Sequence, residues 1–329
     1  MQWDVIFGNG ARAAIGPDAA IYALLAISLN VQYGYAGLLN LGVVGFMLVG
    51  AYGLAIIVAT AGLSMWIGIP VGLLAAGVLA LLMGLPTLRL RADYFAITTI
   101  AVAEILRLVT RSRSLEGLTG GPFGLQQVAD AFYSINPFPD REYGFGVVQF
   151  SEQRMWVMTV TWALALLLTG LVALLASSPW GRALRAVRED EDAARSLGKN
   201  AVAFKMQALV VGGMIGGLAG VMFAIRSTSA NAESFRSDVT FFAYTILILG
   251  GAATKLGPLV GTIIFWFTLS TIESFLRQAN REGWLPGFLE GSESIGAFTL
   301  VLVGLALALL IVFRPQGIFG NRNEIRLQT

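Results

Sequence analysis

Asn30, Asn40, Thr98, Thr99 and Glu104 carry side chains able to do polar chemistry in surroundings that are otherwise apolar. The four uncharged ones donate and accept hydrogen bonds, between helices or to a solute. A carboxylate such as Glu104 inside a membrane span costs about 2.5–3.5 kcal/mol on insertion scales, so it must face a cavity or a partner. Arg107 lies one helical turn on, and a structural ion pair near the membrane edge competes with direct substrate contact as the role of Glu104. Gly34, Gly37 and Gly42 surround Asn40, and such glycines open a helix and free its backbone dipoles. These residues form the expected substrate pathway. The chain has no Cys and no His, so a thiol nucleophile, a disulfide, a His general base and a zinc site of the usual type are all excluded. No metal, cofactor or enzymatic activity of its own is expected.

The elements that must position these residues are membrane helices. Of 329 residues, 56% are hydrophobic and 13% charged, which excludes an ordinary soluble protein. A net charge of +2 is too small for a nucleic-acid footprint. A bilayer core of roughly 30 Å needs about 20 apolar residues per helix. Runs of this kind extend from Ala19 to Tyr33, Ala36 to Ala59, Trp66 to Leu85, Tyr94 to Val109, Met155 to Ala176, Phe204 to Ile225, Phe241 to Phe275 and Ile295 to Phe313. Gly250, Gly251, Lys255, Gly257 and Pro258 interrupt the seventh run, which reads as two spans joined by a tight hairpin. The expected fold is an all-α polytopic membrane protein, one transmembrane domain over residues 1–329 with about 8–9 spans. Met1 to Pro17 lacks the basic start and apolar core of a signal peptide.

With the amino terminus outside, the inner segments hold Arg89, Arg91, Arg182, Arg185, Arg188, Arg195, Lys199, Lys205, Lys255, Arg314, Arg322 and Arg326. The excess of cations in short inner segments supports that orientation. Two loops exceed simple turns. The outer one, residues 111–154, carries Leu-Thr-Gly-Gly-Pro-Phe-Gly from Leu118 to Gly124 and reads either as an ordered cap or as a linker on the membrane surface. The inner one, residues 177–203, reads as a polar helix from Pro179 to Leu197, with Ser178 as N-cap and Gly198 in the left-handed position past its end. Leu184, Val187, Ala194 and Leu197 make an apolar stripe, and Glu191 pairs with Arg195 four residues on. An anionic leaflet would repel the acids from Glu189 to Asp192, so this helix is expected to dock on a protein. Gly212, Gly216 and Gly220 form a double Gly-x-x-x-Gly for close helix packing.

The inner segment Gly-Arg-Ala-Leu-Arg-Ala-Val-Arg-Glu-Asp-Glu-Asp-Ala-Ala-Arg-Ser-Leu-Gly, from Gly181 to Gly198, resembles the cytoplasmic coupling segment of branched-chain amino acid importer permeases of the LivM type. Gly34 to Gly42 running into Gly50-Ala-Tyr52, Leu88 to Ile97 with Glu104-Ile-Leu-Arg107, Thr119 to Gly124, Gly250 to Gly261 and Phe313 to Gly320 agree in order along nearly the whole chain. Val43 and Leu38 depart from it, being aliphatic where the family often has a His or aromatic residue and a Gln.

The resemblance implies the membrane subunit of an ATP-binding-cassette importer for branched-chain or similar hydrophobic amino acids. The implied setting is the bacterial plasma (inner) membrane. The implied partners are a second permease, two cytoplasmic ATPases and an extracytoplasmic solute-binding protein, with the lipid bilayer around them. Arg182, Arg185, Arg188, Glu189, Asp190, Glu191, Asp192, Ala193 and Ala194, between Gly181 and Gly198, would enter a groove on the ATPase. The opened Gly34 to Gly42 stretch would hold the carboxylate and ammonium of an amino acid. The chain has no Gly-x-x-x-x-Gly-Lys-Ser/Thr phosphate loop, so hydrolysis belongs to a partner. A permease for another small polar solute such as urea, or a stand-alone secondary transporter or channel, are the competing readings.

Overall fold

A glycine-rich helix can bury itself on all sides, and the longest helix of this chain does so. The computed structural model describes residues 2–88, 90, 92–284, 291–313 and 317–319. In chain order its main helices begin with α1 (Trp3–Ile15), α2 (Pro17–Leu29), α3 (Val43–Ala55), α4 (Met65–Thr87) and α5 (Ala92–Thr110). Two short helices follow in the outer loop, α6 (Glu116–Thr119) and α7 (Asp130–Tyr133). Then come α8 (Glu152–Ser177), α9 (Pro179–Glu189), α10 (Glu191–Ser196), α11 (Ala201–Ser227), α12 (Ser237–Gly250), α13 (Gly257–Arg281) and α14 (Ser292–Phe313). Among the described residues, four strands of two or three residues form two small antiparallel ladders, pairing Leu125 with Ala230 and Tyr143 with Phe150.

Helix α11 occupies the centre and packs chiefly on α3, α4 and α2. Its glycines let backbones approach directly. A Cβ at Gly220 would run into the Met47 carbonyl of α3, and one at Gly217 would meet Ala76 of α4 at 2.6 Å. Gly212 leaves room for the Gln32 side chain, and Gly216 faces Ser28 and Phe46. Lipid tails are as apolar as leucine, so association here rests on close van der Waals contact and interhelical hydrogen bonds.

The expected helical runs are helical where the structure describes them except at residues 36–42, which lie outside any helix, and four further differences stand beside this one. Among the described residues, five helices or helix pairs are long and apolar enough to cross a membrane, or six if the bent α1–α2 pair is one span. The charges Asp93, Glu104 and Arg107 mark α5, and α12 has 14 residues, too few to cross alone. Ahead of the first expected span lies a further helix, α1, joined to α2 by a 45° bend at Gly16. The inner polar helix is two helices, because Asp190 is extended (φ −151°) and its carboxylate accepts from the Ala193 N–H at 2.9 Å, capping α10. An aspartate competes for backbone donors in this way and favours a cap over a helix interior. Lastly, Leu184, Val187 and Ala194 are buried, but Leu197 is 82% exposed and leaves the apolar stripe.

Arg89, Arg91, Arg314, Arg322 and Arg326 among the inner cations lie outside the described residues. The 111–154 segment carries ordered structure: Thr119 is buried and donates to the Thr110 carbonyl at 2.8 Å, and the Trp156 indole donates to the Phe132 carbonyl at 3.1 Å.

Gly220→Val tests the central packing. Forcing a branched side chain into a filled interior costs about 1–3 kcal/mol or more, so the purified variant is expected to unfold at a clearly lower temperature in detergent. An unchanged unfolding midpoint would contradict the close α11–α3 contact.

Candidate functional site at a helix break

The span that begins with α2 does not run through as an α-helix. Asn30 to Tyr35 form a π-helical turn, Gly37 is left-handed (φ +70°), and regular helix resumes at Val43. A π turn followed by glycines unwinds the chain inside the membrane, a device used at functional sites and in transporter binding sites. Backbone groups freed in a low-dielectric interior must find partners, and a polar network supplies them.

Gln32, fully buried, donates to the Ser28 hydroxyl at 3.2 Å, and Ser28 donates to the Gly212 carbonyl of α11 at 2.7 Å. The Gln32 amide oxygen accepts from Asn40 Nδ2 at 2.6 Å, and the Asn40 oxygen accepts from the Gly42 N–H at 2.9 Å. The Tyr244 hydroxyl of α12 donates to the Asn40 carbonyl at 3.0 Å. On the far side, the Leu41 N–H donates to the Thr99 hydroxyl of α5 at 3.1 Å, and the Val44 N–H to Thr240 of α12 at 3.3 Å. Three helices are thereby hydrogen-bonded to one short irregular stretch.

Asn30 holds a second junction. Its amide nitrogen donates to the Thr254 carbonyl and its oxygen accepts from the Ala253 N–H, both at 2.8 Å, clamping the α12–α13 hairpin against the break. Gly34 offers its carbonyl to Arg188 of α9, and a Cβ at Gly37 would stand 3.0 Å from Arg188 Cγ. The inner helix therefore touches the break directly.

Arg182 and Arg185 donate to the Ser177 and Ala176 carbonyls at 3.2 and 3.1 Å. Cations are favoured at these last carbonyls of α8. A Cβ at Gly181 would collide with the Ala176 backbone, so glycine is needed for α9 to fold back this closely. Glu191 pairs with Arg195 at 2.6 Å and also with Lys205 of α11. Glu189, Asp190, Asp192, Ala193 and Leu197 remain exposed, a rim of acids around an apolar tip.

Asn30, Gly34, Gly37, Asn40, Gly42 and Thr99 thus meet at one place. Thr98 does not join the network, since its hydroxyl donates to the Tyr94 carbonyl of its own helix at 2.7 Å. Glu104 is elsewhere, paired with Arg107 at 2.6 Å, and Arg107 also reaches Glu233 at 3.1 Å. Arg111 adds a 2.8 Å contact to Glu233, so this cluster ties α5 to the outer segment that follows α11. Ser28, Gln32, Thr240 and Tyr244 were missed by the sequence reasoning. The signal for two of them was present, because Ser28, Asn30 and Gln32 alternate within an otherwise apolar run.

Residues 14–310 match the family described as branched-chain amino acid transport system permease component. The chain belongs to that family. The permease is 31% identical over 339 residues to the high-affinity branched-chain amino acid transport system permease protein LivM of Escherichia coli, covering 100% of this chain and 74% of that protein. It is 30% identical to LivM of Salmonella typhimurium, over 100% of this chain and 75% of the relative. With a probable LivM of Methanocaldococcus jannaschii it shares 25% identity over 92% of this chain and 91% of the relative. It is a multi-pass permease of the plasma (inner) membrane.

Asn40→Ala would leave the Gln32 oxygen and the Gly42 N–H without their partners. Each unsatisfied buried group costs about 1–3 kcal/mol, so a lower unfolding midpoint is expected, whereas Thr98→Val, outside the network, is expected to change it little. Equal effects of the two substitutions would argue against the network as drawn.

Proposed function

We propose that the permease is the translocation subunit of an ATP-driven importer for branched-chain amino acids. In this reading a second permease, two ATPases and an extracytoplasmic binding protein complete the machine. The names of the relatives support the cargo, and aliphatic walls with few charges suit a zwitterionic, apolar solute. Recognition of its carboxylate and ammonium would draw on amide side chains and backbone dipoles at the break between Asn30 and Gly42. Gln32 and Asn40 can exchange their mutual hydrogen bond for bonds to a solute, because a primary amide both donates and accepts. Neutral partners of this kind hold a dipolar solute without a buried charge that would require neutralising.

The observation that carries the coupling role is the Arg188 side chain bonded to the Gly34 carbonyl. Helix α9 is fixed to the end of α8 by Arg182 and Arg185, while its third arginine holds the unwound segment. A partner gripping the exposed acids Glu189, Asp190 and Asp192 would therefore move the α8 end and the helix break together. Alternating access needs a rigid link of this sort between the energy source and the site.

Reconstitution with the partner ATPases and binding protein tests this reading. Replacing Glu189, Asp190, Glu191 and Asp192 by their amides is expected to lower ATP-driven leucine uptake at least about tenfold, the loss of about 1.4 kcal/mol or more of coupling, with expression unchanged. Arg188→Met is expected to leave the complex assembled and hydrolysing ATP while uptake falls. Uptake at the wild-type rate in both variants would overturn the coupling role and favour a transporter that works without an ATPase.

A further inference from the structure

On the opposite side from α9 the structure holds a cavity of about 630 Å³, at the bend between α1 and α2. Its walls come from α1, α2, α8, α11, α13 and the outer hairpin, including Arg12, Asp18, Arg154, Trp266, Glu273 and Arg277. Arg226, also in the wall, pairs with Asp18 at 2.6 Å, and Arg277 pairs with Glu273 at 2.6 Å. Four arginines therefore face two carboxylates, and both carboxylates are already held. Among the described residues neither Arg12 nor Arg154 has an ion pair, although Arg154 feels the charge of Asp18. Arg12 lies instead over the Phe150 ring, 5.7 Å from its centroid. Guanidinium groups only donate, so the unmet capacity of the cavity is for an acceptor-rich anion.

The surroundings narrow the class. Trp3 and Phe7 of α1 are exposed, and Trp3 stacks on Phe275 of α13 with centroids 6.2 Å apart. Exposed aromatics of this kind favour the headgroup level of a bilayer. The wall is rigid there, since Ser270 donates to the Asn9 carbonyl at 3.1 Å and Asn9 donates to Ser274 at 3.3 Å. A volume of several hundred Å³ is that of a ligand site, and a pair of guanidinium forks suits a phosphate better than a single carboxylate oxygen.

We infer that this cavity is a phosphate-binding site on the extracytoplasmic side of the permease, engaging the phosphate through Arg12 and Arg154. The phosphate arrives on a phospholipid headgroup or free in solution. A bound anion would pin α1, next to its bend with α2, to α8. The side assignment rests on the amino-terminus-outside orientation, and the site itself does not depend on the cargo or the ATPases.

The test uses the full chain in nanodiscs of phosphatidylcholine alone, of phosphatidylcholine mixed with phosphatidylglycerol, and of phosphatidylcholine with added inorganic phosphate. Phosphatidylglycerol is expected to raise the unfolding midpoint by about 3 °C or more. The Arg12→Gln, Arg154→Gln double variant is expected to lose most of that rise while keeping its midpoint in phosphatidylcholine. A rise with inorganic phosphate, lost in the same variant, assigns the phosphate to a soluble source, and a rise with the lipid alone assigns it to a headgroup. Should the double variant not fold, the single variants Arg12→Gln and Arg154→Gln and mass spectrometry of retained lipid replace it. The wild type is then expected to retain phosphatidylglycerol about tenfold better than phosphatidylcholine, and each single variant to do so less. No rise with either anion, an equal rise in the double variant, or equal retention of the two lipids overturns the site.

Discussion

A backbone N–H or C=O without a partner costs several kcal/mol in a bilayer, and the segment from Asn30 to Gly42 is where this chain has to meet that demand. A continuous helix would have satisfied it with local bonds alone. The π turn keeps backbone bonds of its own, and the Gly37 and Leu38 N–H groups still reach the Tyr33 and Gln32 carbonyls at 3.1 and 2.9 Å, but past them the chain is irregular, so side chains from distant parts of the sequence supply the remaining partners. Asn40, Thr99 and Thr240 receive the N–H groups of Gly42, Leu41 and Val44. Arg188 and Tyr244 supply donors for the carbonyls of Gly34 and Asn40. The positions of α5, α9 and α12 around α2 and α3 follow from this one requirement.

The break would be of little use if its neighbours could not come close. Gln32 reaches Ser28 and Asn40 only because Gly212 has no side chain where the Gln32 amide lies. The glycine series of α11 therefore does two things. At Gly217 and Gly220 it brings helix backbones together, and at Gly212 it makes room for a polar side chain. One helix thus serves packing on α3 and α4 toward its carboxyl end and the polar network toward its middle.

Much of this was legible in the sequence. Hydrophobic runs gave the helices, because a bilayer imposes length and apolarity on each span. Gly250 to Pro258 announced a hairpin, and the pairs Glu104–Arg107 and Glu191–Arg195 followed from helical spacing. What stayed hidden depended on contacts across long separations. Nothing local distinguishes Tyr244 or Thr240, which matter only because α12 lies beside Asn40 and Val44. Helix α1 was passed over because it is short and amphipathic and mixes glycines with charges, so its stability comes from packing on α13. The split at Asp190 shows the same limit at closer range, since a run of four acids fits a helix by composition until one of them caps a backbone N–H.

The three arginines of α9 tie one short helix to two interrupted ones. Arg182, Arg185 and Arg188 recur at three-residue spacing, which places them on neighbouring positions of one helix. The first two bind carbonyls at the end of α8 and the third binds the carbonyl of Gly34. All three acceptors are backbone oxygens left over where a helix stops or unwinds, so the bonds fix main chain to main chain through a planar fork. A lysine would offer a flexible point charge in place of that fork. The same three bonds that complete two interrupted helices also make α9 mechanically part of both. Any displacement of α9 must then be shared by the unwound segment, whose neutral amide network can exchange partners without exposing a charge to the membrane interior.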